Sequence, residues 1–225
     1  MHIDLTDIIP AAIVVAIMLL VGLPVHEFSH ALAAFRLGDG TAKMFGRLTL
    51  NPIAHFDPVG GTLLALTFIG SAATGGAIGF GWAKPTPVNP LNLEGGRRGE
   101  AIVAAAGPLS NLVLAAAGAI PLRYLYANPQ LILDMPLLEQ VLWLFVQINL
   151  LLMLFNLIPV PPLDGSKVMF AFMDRRTEYQ IRPLLEQYGL IILIILILPI
   201  LPGGSILGRI IIPILNAFTS LLVGV

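Results

Sequence analysis

Cysteine is absent from the 225 residues, which excludes disulfides and thiolate metal ligands and leaves histidine and carboxylate as the ligand set for any bound metal. Charge is scarce too. Charged residues make up 11% of the chain and hydrophobic ones 57%, with a mean hydropathy of +0.90, far outside the range of soluble globular domains. The composition is that of an integral membrane protein. The formal net charge is −1 and no basic tail or dense Lys/Arg block is present, so nothing supports nucleic-acid binding. No Lys or Arg precedes the first apolar run, which follows Asp4 and Asp7 instead. That is a poor signal peptide, and the run reads as a retained span.

What is abundant is apolar sequence broken by proline and glycine. Residues 8 to about 37 read as one long helix of roughly 45 Å, longer than a hydrocarbon core of about 30 Å, stopped by Gly38-Asp39-Gly40. Pro24 is placed to kink it by removing a backbone hydrogen bond. Residues 38–58 are turn-rich, and 60–81 are apolar but crowded with glycine, as in a thin span or a re-entrant segment packed in protein. Trp82 to Pro90 has prolines at 85, 87 and 90 and is expected to be extended. Further spans are expected from Glu100 to about Arg123 and from Leu137 to Ile158. A polar stretch reaches Arg182, and a closing hairpin covers about 184–224. The fold expected is a single all-α polytopic membrane domain over residues 1–225. It has five to six transmembrane helices, with a re-entrant or extended β-like segment between the first two main spans.

The basic residues orient this arrangement. If the first helix runs outside to inside, ten of the twelve Lys and Arg residues fall in segments 36–99 and 163–183, which the positive-inside rule assigns to the cytoplasm. Arg123 is then outside and Arg209 ambiguous. His26, 18 residues past Ile8 or about 27 Å along the helix, lies inside the bilayer toward its cytoplasmic face.

At that depth the chain reads His26-Glu27-Phe28-Ser29-His30. Histidines at i and i+4 share one helix face, so both rings can reach one metal ion. Glu27 is rotated about 100° from them, a poor third ligand but well placed to hold a water activated by that ion. An ionised residue at the centre of a membrane helix costs at least about 2.5 kcal/mol, so such a cluster is seldom left without a partner or a task. Catalytic zinc usually has three protein ligands. Asp164 is the candidate for the third, because Leu163-Asp164-Gly165 follows a proline-broken helix that ends at a similar depth to the first. It is read there as exposed backbone lining a cavity. Asp-Gly is also a common turn dipeptide, and the alternative is that Asp164 only caps the polar segment.

His26–His30, Gly107-Pro108-Leu109-Ser110-Asn111 and Asn156-Leu157-Ile158-Pro159 through Leu163-Asp164-Gly165 together resemble the site-2 protease family of intramembrane zinc metalloproteases, over roughly residues 20–170. Asn51-Pro52 to Pro58 with His55, and Gly81 to Pro85, look like its compact subgroup. The resemblance implies one Zn2+ per chain held by His26, His30 and Asp164, with Glu27 as general base. It also implies that the region from Asn156 to Pro159 holds substrate backbone. A catalytic core of about 8–170 and a multi-pass location in a prokaryotic cell membrane, the site facing the cytoplasmic side, follow from the same reading. No polar insertion is long enough for a PDZ domain, and no CBS pair is expected.

The expected reaction is peptide-bond hydrolysis in or near transmembrane segments of membrane-protein substrates, with the bilayer as the other partner. His55, Asn111 and Asn156 are the candidates for a second oxyanion donor beside the metal. For His55 a bond to its own turn is an equal alternative, and Asn111 could simply tie two spans together. The extended segment 85–90 is a candidate edge for an unwound substrate strand. The rival reading is a metal or proton carrier using the same His/Glu/Asp cluster. It lacks the repeated broken helices that carriers of that kind show.

Overall fold

The computed structural model describes residues 5–72, 81–198 and 204–224. Its regular elements there are helical. The first long helix runs as α1 (Leu5–Ile17), a π-helical turn (Met18–Gly22) and α2 (Leu23–Arg36). Pro24 has no N–H to give Leu20, and one residue earlier the Leu23 N–H reaches Met18 instead, a five-residue step. The expected kink is thus absorbed as a π-turn just before the histidines. Gly38, with φ +94°, lets the chain turn away after α2.

Two short helices, α3 (Thr41–Met44) and α4 (Pro52–His55), occupy the turn-rich region, and α5 (Pro58–Ala72) follows. At about 1.5 Å per residue α5 is shorter than a hydrocarbon core, and it packs against α1. Whether 60–81 crosses or re-enters depends in part on residues 73–80, outside the described residues. The segment 81–89 has no regular secondary structure, as its prolines require, and no strand pairs with it among the described residues. A 3-10 turn (Pro90–Asn92) leads into α6 (Arg97–Ala127).

The centre of the molecule is α6. It packs against α2, against α8 (Pro136–Asn156) and against α9 (Asp164–Phe172); the short α7 (Pro129–Asp134) links α6 to α8. Small residues make the close approach to α8 possible. Ala115 and Ala119 are buried against Val146, Leu150 and Met153, with Leu122 and Val223 closing the cluster. A Cβ on Gly118 would stand 2.8 Å from the Phe145 ring.

The structure departs from expectation at Leu163-Asp164-Gly165, where Asp164 opens α9 instead of lying in exposed backbone; the polar stretch beyond it is helical as well, with α10 beginning at Arg175. Asp174 caps α10 by accepting from Arg176 and Thr177 N–H, each at 3.0 Å. Arg182 pairs with Glu178 at 3.2 Å and Glu186 at 2.8 Å, one turn away on either side. Capping and i,i+4 pairing support the helix in a stretch where apolar length gives no signal. With α11 (Ile206–Val223) there are five helices long and apolar enough to cross a membrane among the described residues: Ala12–Arg36, Arg97–Ala127, Pro136–Asn156, Arg175–Ile197 and Ile206–Val223. The protein is an all-α polytopic membrane protein.

Candidate active site

Two histidines from α2 and one aspartate from α9 converge. His26 Nε2 lies 3.5 Å and His30 Nε2 3.2 Å from Asp164 Oδ2, and the two Nε2 atoms are 3.1 Å apart. The rings meet edge to face, with centroids 4.7 Å apart. Three donors at about 2.0–2.1 Å from a tetrahedral zinc stand about 3.3–3.4 Å from one another. The observed triangle brackets that spacing.

The hydrogen bonds behind the rings determine which nitrogens face inward. His30 Nδ1 lies 2.7 Å from the Val103 carbonyl, which can only accept, so Nδ1 carries the proton. His26 Nδ1 lies 2.6 Å from Asn111 Oδ1, and a chain of amides fixes that orientation. Phe145 O accepts from Asn149 Nδ2 at 2.8 Å, and Asn149 Oδ1 therefore accepts from Asn111 Nδ2 at 3.0 Å. Asn111 is left presenting its oxygen to His26. Both Nδ1 atoms donate, and both Nε2 lone pairs point at each other and at a carboxylate. Such an arrangement is repulsive unless a proton or a metal ion stands between the donors, and a metal ion can satisfy all three at once. The donor set fits Zn2+.

Glycine makes the space. A Cβ on Gly107 of α6 would come within 2.7 Å of His26 Cε1 and 2.6 Å of His30 Cε1. A Cβ on Gly165 would strike the Leu157 and Ile158 carbonyls at the end of α8, so Gly165 lets α9 start close enough for Asp164 to reach the imidazoles. Lys167 Nζ, one turn along, is 3.8 Å from Asp164 Oδ1. Arg97 holds the other end of α9: it donates to the Phe170 carbonyl, to the Met173 carbonyl at 2.6 Å, and pairs with Glu178 at 2.8 Å.

Glu27 is half-buried beside this triangle and is gripped by the extended segment. Thr86 N–H donates to Glu27 Oε2 at 2.8 Å, and Thr86 Oγ1 donates to the Glu27 carbonyl at 3.0 Å. The segment is pinned on both sides of that contact. Lys84 N–H donates to the His55 carbonyl at 2.9 Å and Asn89 N–H to Asp39 Oδ2 at 2.7 Å. Asp39 is fully buried and also accepts from Thr41 N, Thr41 Oγ1 and Asn92 Nδ2. Burial pushes its carboxyl up, but these donors outweigh burial and hold it below the usual carboxylate range.

The remaining expected residues stand apart from the triangle. Asn111 is fully buried on the Nδ1 side of His26. His55 donates from Nε2 to the Thr49 carbonyl at 2.8 Å, leaving its buried Nδ1 as an unpartnered acceptor. Asn156, half-buried, gives one N–H to Leu152 O at 3.0 Å. Pro159 is exposed in the turn that ends α8. Asn149, Val103, Thr86 and Asp39 were not picked out from the sequence as site residues. The available signals were an amide, Asn149, in the apolar run of α8, which also carries Gln140, Gln147 and Asn156, and a threonine between two prolines.

The fold and the site thus define an integral membrane protein with a His-His-Asp donor set that fits zinc and leaves its fourth position open. Residues 126–200 match the profile described as Peptidase family M50. The chain is similar to "Putative zinc metalloprotease YwhC" of Bacillus subtilis, 38% identical over 203 residues that cover 89% of this chain and 85% of that protein. It is also similar to proteins named "Putative zinc metalloprotease Rip2". That of Mycolicibacterium smegmatis is 32% identical over 80% of this chain and 64% of its own length; that of Mycobacterium tuberculosis (strain H37Rv) is 34% identical over 82% and 66%. The chain therefore spans just under two thirds of the Rip2 proteins. No solved structure matches it. The chain belongs to peptidase family M50, the site-2 protease family, and is a membrane metalloprotease.

Proposed function

We propose that this protein hydrolyses peptide bonds within or near transmembrane segments of membrane-protein substrates, as a step of regulated intramembrane proteolysis in a prokaryotic cell membrane. The site would face the cytoplasmic side, as the distribution of Lys and Arg supports. The observation that carries the reading is the donor triangle at 3.1, 3.2 and 3.5 Å with the Glu27 carboxylate beside it.

His26, His30 and Asp164 are the ligands. When bound, zinc lowers the pKa of a water toward about 7 and polarises a carbonyl. Asn111 and Val103 O orient the imidazoles through their Nδ1 protons. Glu27 acts as general base, accepting a proton as water attacks the scissile carbonyl and passing it to the leaving amine. For the second oxyanion donor, Asn156 has the best support of the three candidates. One of its N–H groups is uncommitted and it is partly accessible, whereas Asn111 is sealed behind His26 and His55 presents an acceptor.

A substrate helix must unwind before any carbonyl is free. The segment 85–90 and the Asn156–Pro159 turn are the proposed contacts for the unwound strand. Pro85 and Pro87 have no N–H, so their positions offer a substrate only carbonyl acceptors.

The test is cleavage of a purified single-span substrate in bilayers, with the products mapped by mass spectrometry. Wild type should cut inside or beside the apolar span, and Glu27→Gln should keep its zinc and lose cleavage by about 10²–10⁴-fold, the usual contribution of a general base. Zinc flux into vesicles that survives Glu27→Gln, with no product from wild type, would favour the carrier instead.

A further inference from the structure

We propose that the main-chain N–H of Thr86 is a positioning group for Glu27: it fixes one carboxylate oxygen so that the other is presented to the reacting water. The inference rests on the reading of Glu27 as general base.

Glu27 needs such help. It is rotated away from the histidine face of α2 and has three side-chain torsions, so helix geometry alone leaves the carboxylate free to sample several rotamers. The structure removes that freedom at a single atom, Oε2, through a 2.8 Å bond from Thr86 N–H. A carboxylate oxygen held by a backbone amide is a strong, directional contact. The other oxygen, Oε1, is left to take the proton.

The local sequence makes this donor unambiguous. In Pro85-Thr86-Pro87 the flanking residues have no N–H and a fixed φ, so Thr86 carries the only amide proton of the three. The hydroxyl adds a second tie, Thr86 Oγ1 to the Glu27 carbonyl at 3.0 Å, which sets the height of the segment on α2. Lys84 on His55 and Asn89 on Asp39 anchor the segment at either side. Lys84 and Thr86, two residues apart, both turn their N–H groups toward the protein, the alternation of an extended chain. The packing reading, in which Thr86 merely fills space, accounts for neither the prolines nor the aim of the amide at a carboxylate.

The experiment compares Thr86→Pro, which deletes the N–H while keeping extended backbone, with Thr86→Ser and Thr86→Ala, which retain it. Each is purified with zinc content measured and assayed on the single-span substrate beside wild type and Glu27→Gln. Thr86→Pro should lose at least about tenfold in kcat with KM and zinc content within about twofold of wild type. Ser and Ala, which keep the amide, should each lose at least about threefold less kcat than Thr86→Pro, with Ala below Ser because it also gives up the hydroxyl tie. If Thr86→Pro does not accumulate as zinc-loaded protein, Asp39→Asn, which loosens the neighbouring anchor, should show the same fall in kcat at constant KM.

A readout independent of turnover is amide hydrogen exchange in the peptide spanning 82–88. Two amides of this peptide, those of Lys84 and Thr86, are hydrogen-bonded in wild type, and the Thr86 amide should exchange at least tenfold faster in Glu27→Ala. Wild-type kcat in Thr86→Pro, an equal loss in Thr86→Ala, a rise in KM alone, or unchanged exchange in Glu27→Ala would each overturn the role of Thr86. An active Glu27→Gln would instead overturn the base assignment, and this inference with it.

Discussion

His26 and Asn111, 85 residues apart in sequence, are joined by a 2.6 Å hydrogen bond between Nδ1 and Oδ1 inside the helix bundle. The bond fixes the imidazole as the Nδ1–H tautomer and leaves Nε2 bare toward His30 and Asp164. Its orientation is borrowed from Asn149, whose own amide is pinned by the Phe145 carbonyl.

Removing this support should weaken the metal site without abolishing it. Asn111→Ala is expected to lower zinc affinity about 10–100-fold, the usual cost of losing such a partner. Asn149→Leu should give a smaller loss in the same direction, because it frees the Asn111 amide to flip. Competition against a chromogenic chelator measures both. Equal affinity in wild type and Asn111→Ala would show that the amide chain does not orient His26.

Gly107→Ala tests steric fit. In an exposed helix interior that change stabilises by roughly 0.5–1 kcal/mol. Here the added methyl would overlap the rings of His26 and His30. Zinc occupancy should fall well below one per chain while the helical circular dichroism is retained. Full occupancy would mean that α2 and α6 can separate at no cost to the site.

Asp39 ties the end of α2 to the extended segment through four hydrogen bonds. Its carboxyl is held below the usual range in the folded protein, so its contribution is present above the unfolded carboxylate pKa and is lost as pH falls through the depressed folded value. Asp39→Ala should lower stability by about 2 kcal/mol, the scale of losing hydrogen bonds to a buried charged group. The gap from wild type should narrow on acidification. Thermal unfolding at neutral pH and at about pH 3 measures it, and a gap that widens at low pH would contradict the assignment.

Much of the donor set was legible in the sequence because it depends on local periodicity. His26 and His30 are one helical turn apart, and the proline run after Asn156 marks where a span breaks before Asp164. The long spans were equally plain from their apolar length. The helix from Arg175 to Arg182 was hidden because its stability comes from the Asp174 cap and the Glu178–Arg182–Glu186 ladder, which hydropathy does not register. Thr86, Asp39, Asn149 and the Val103 carbonyl act through space on residues 38 to 73 positions away in sequence. A backbone carbonyl in particular has no side-chain identity for a sequence to display.

The most direct test of the site is zinc analysis with X-ray absorption at the zinc edge on purified wild type and Asp164→Ala. Wild type should hold one zinc per chain, with two imidazole nitrogens and oxygen ligands at about 2.0–2.2 Å. Asp164→Ala should lose most of the metal or show one protein oxygen fewer. One zinc per chain with an identical spectrum in Asp164→Ala would contradict the His26, His30 and Asp164 centre.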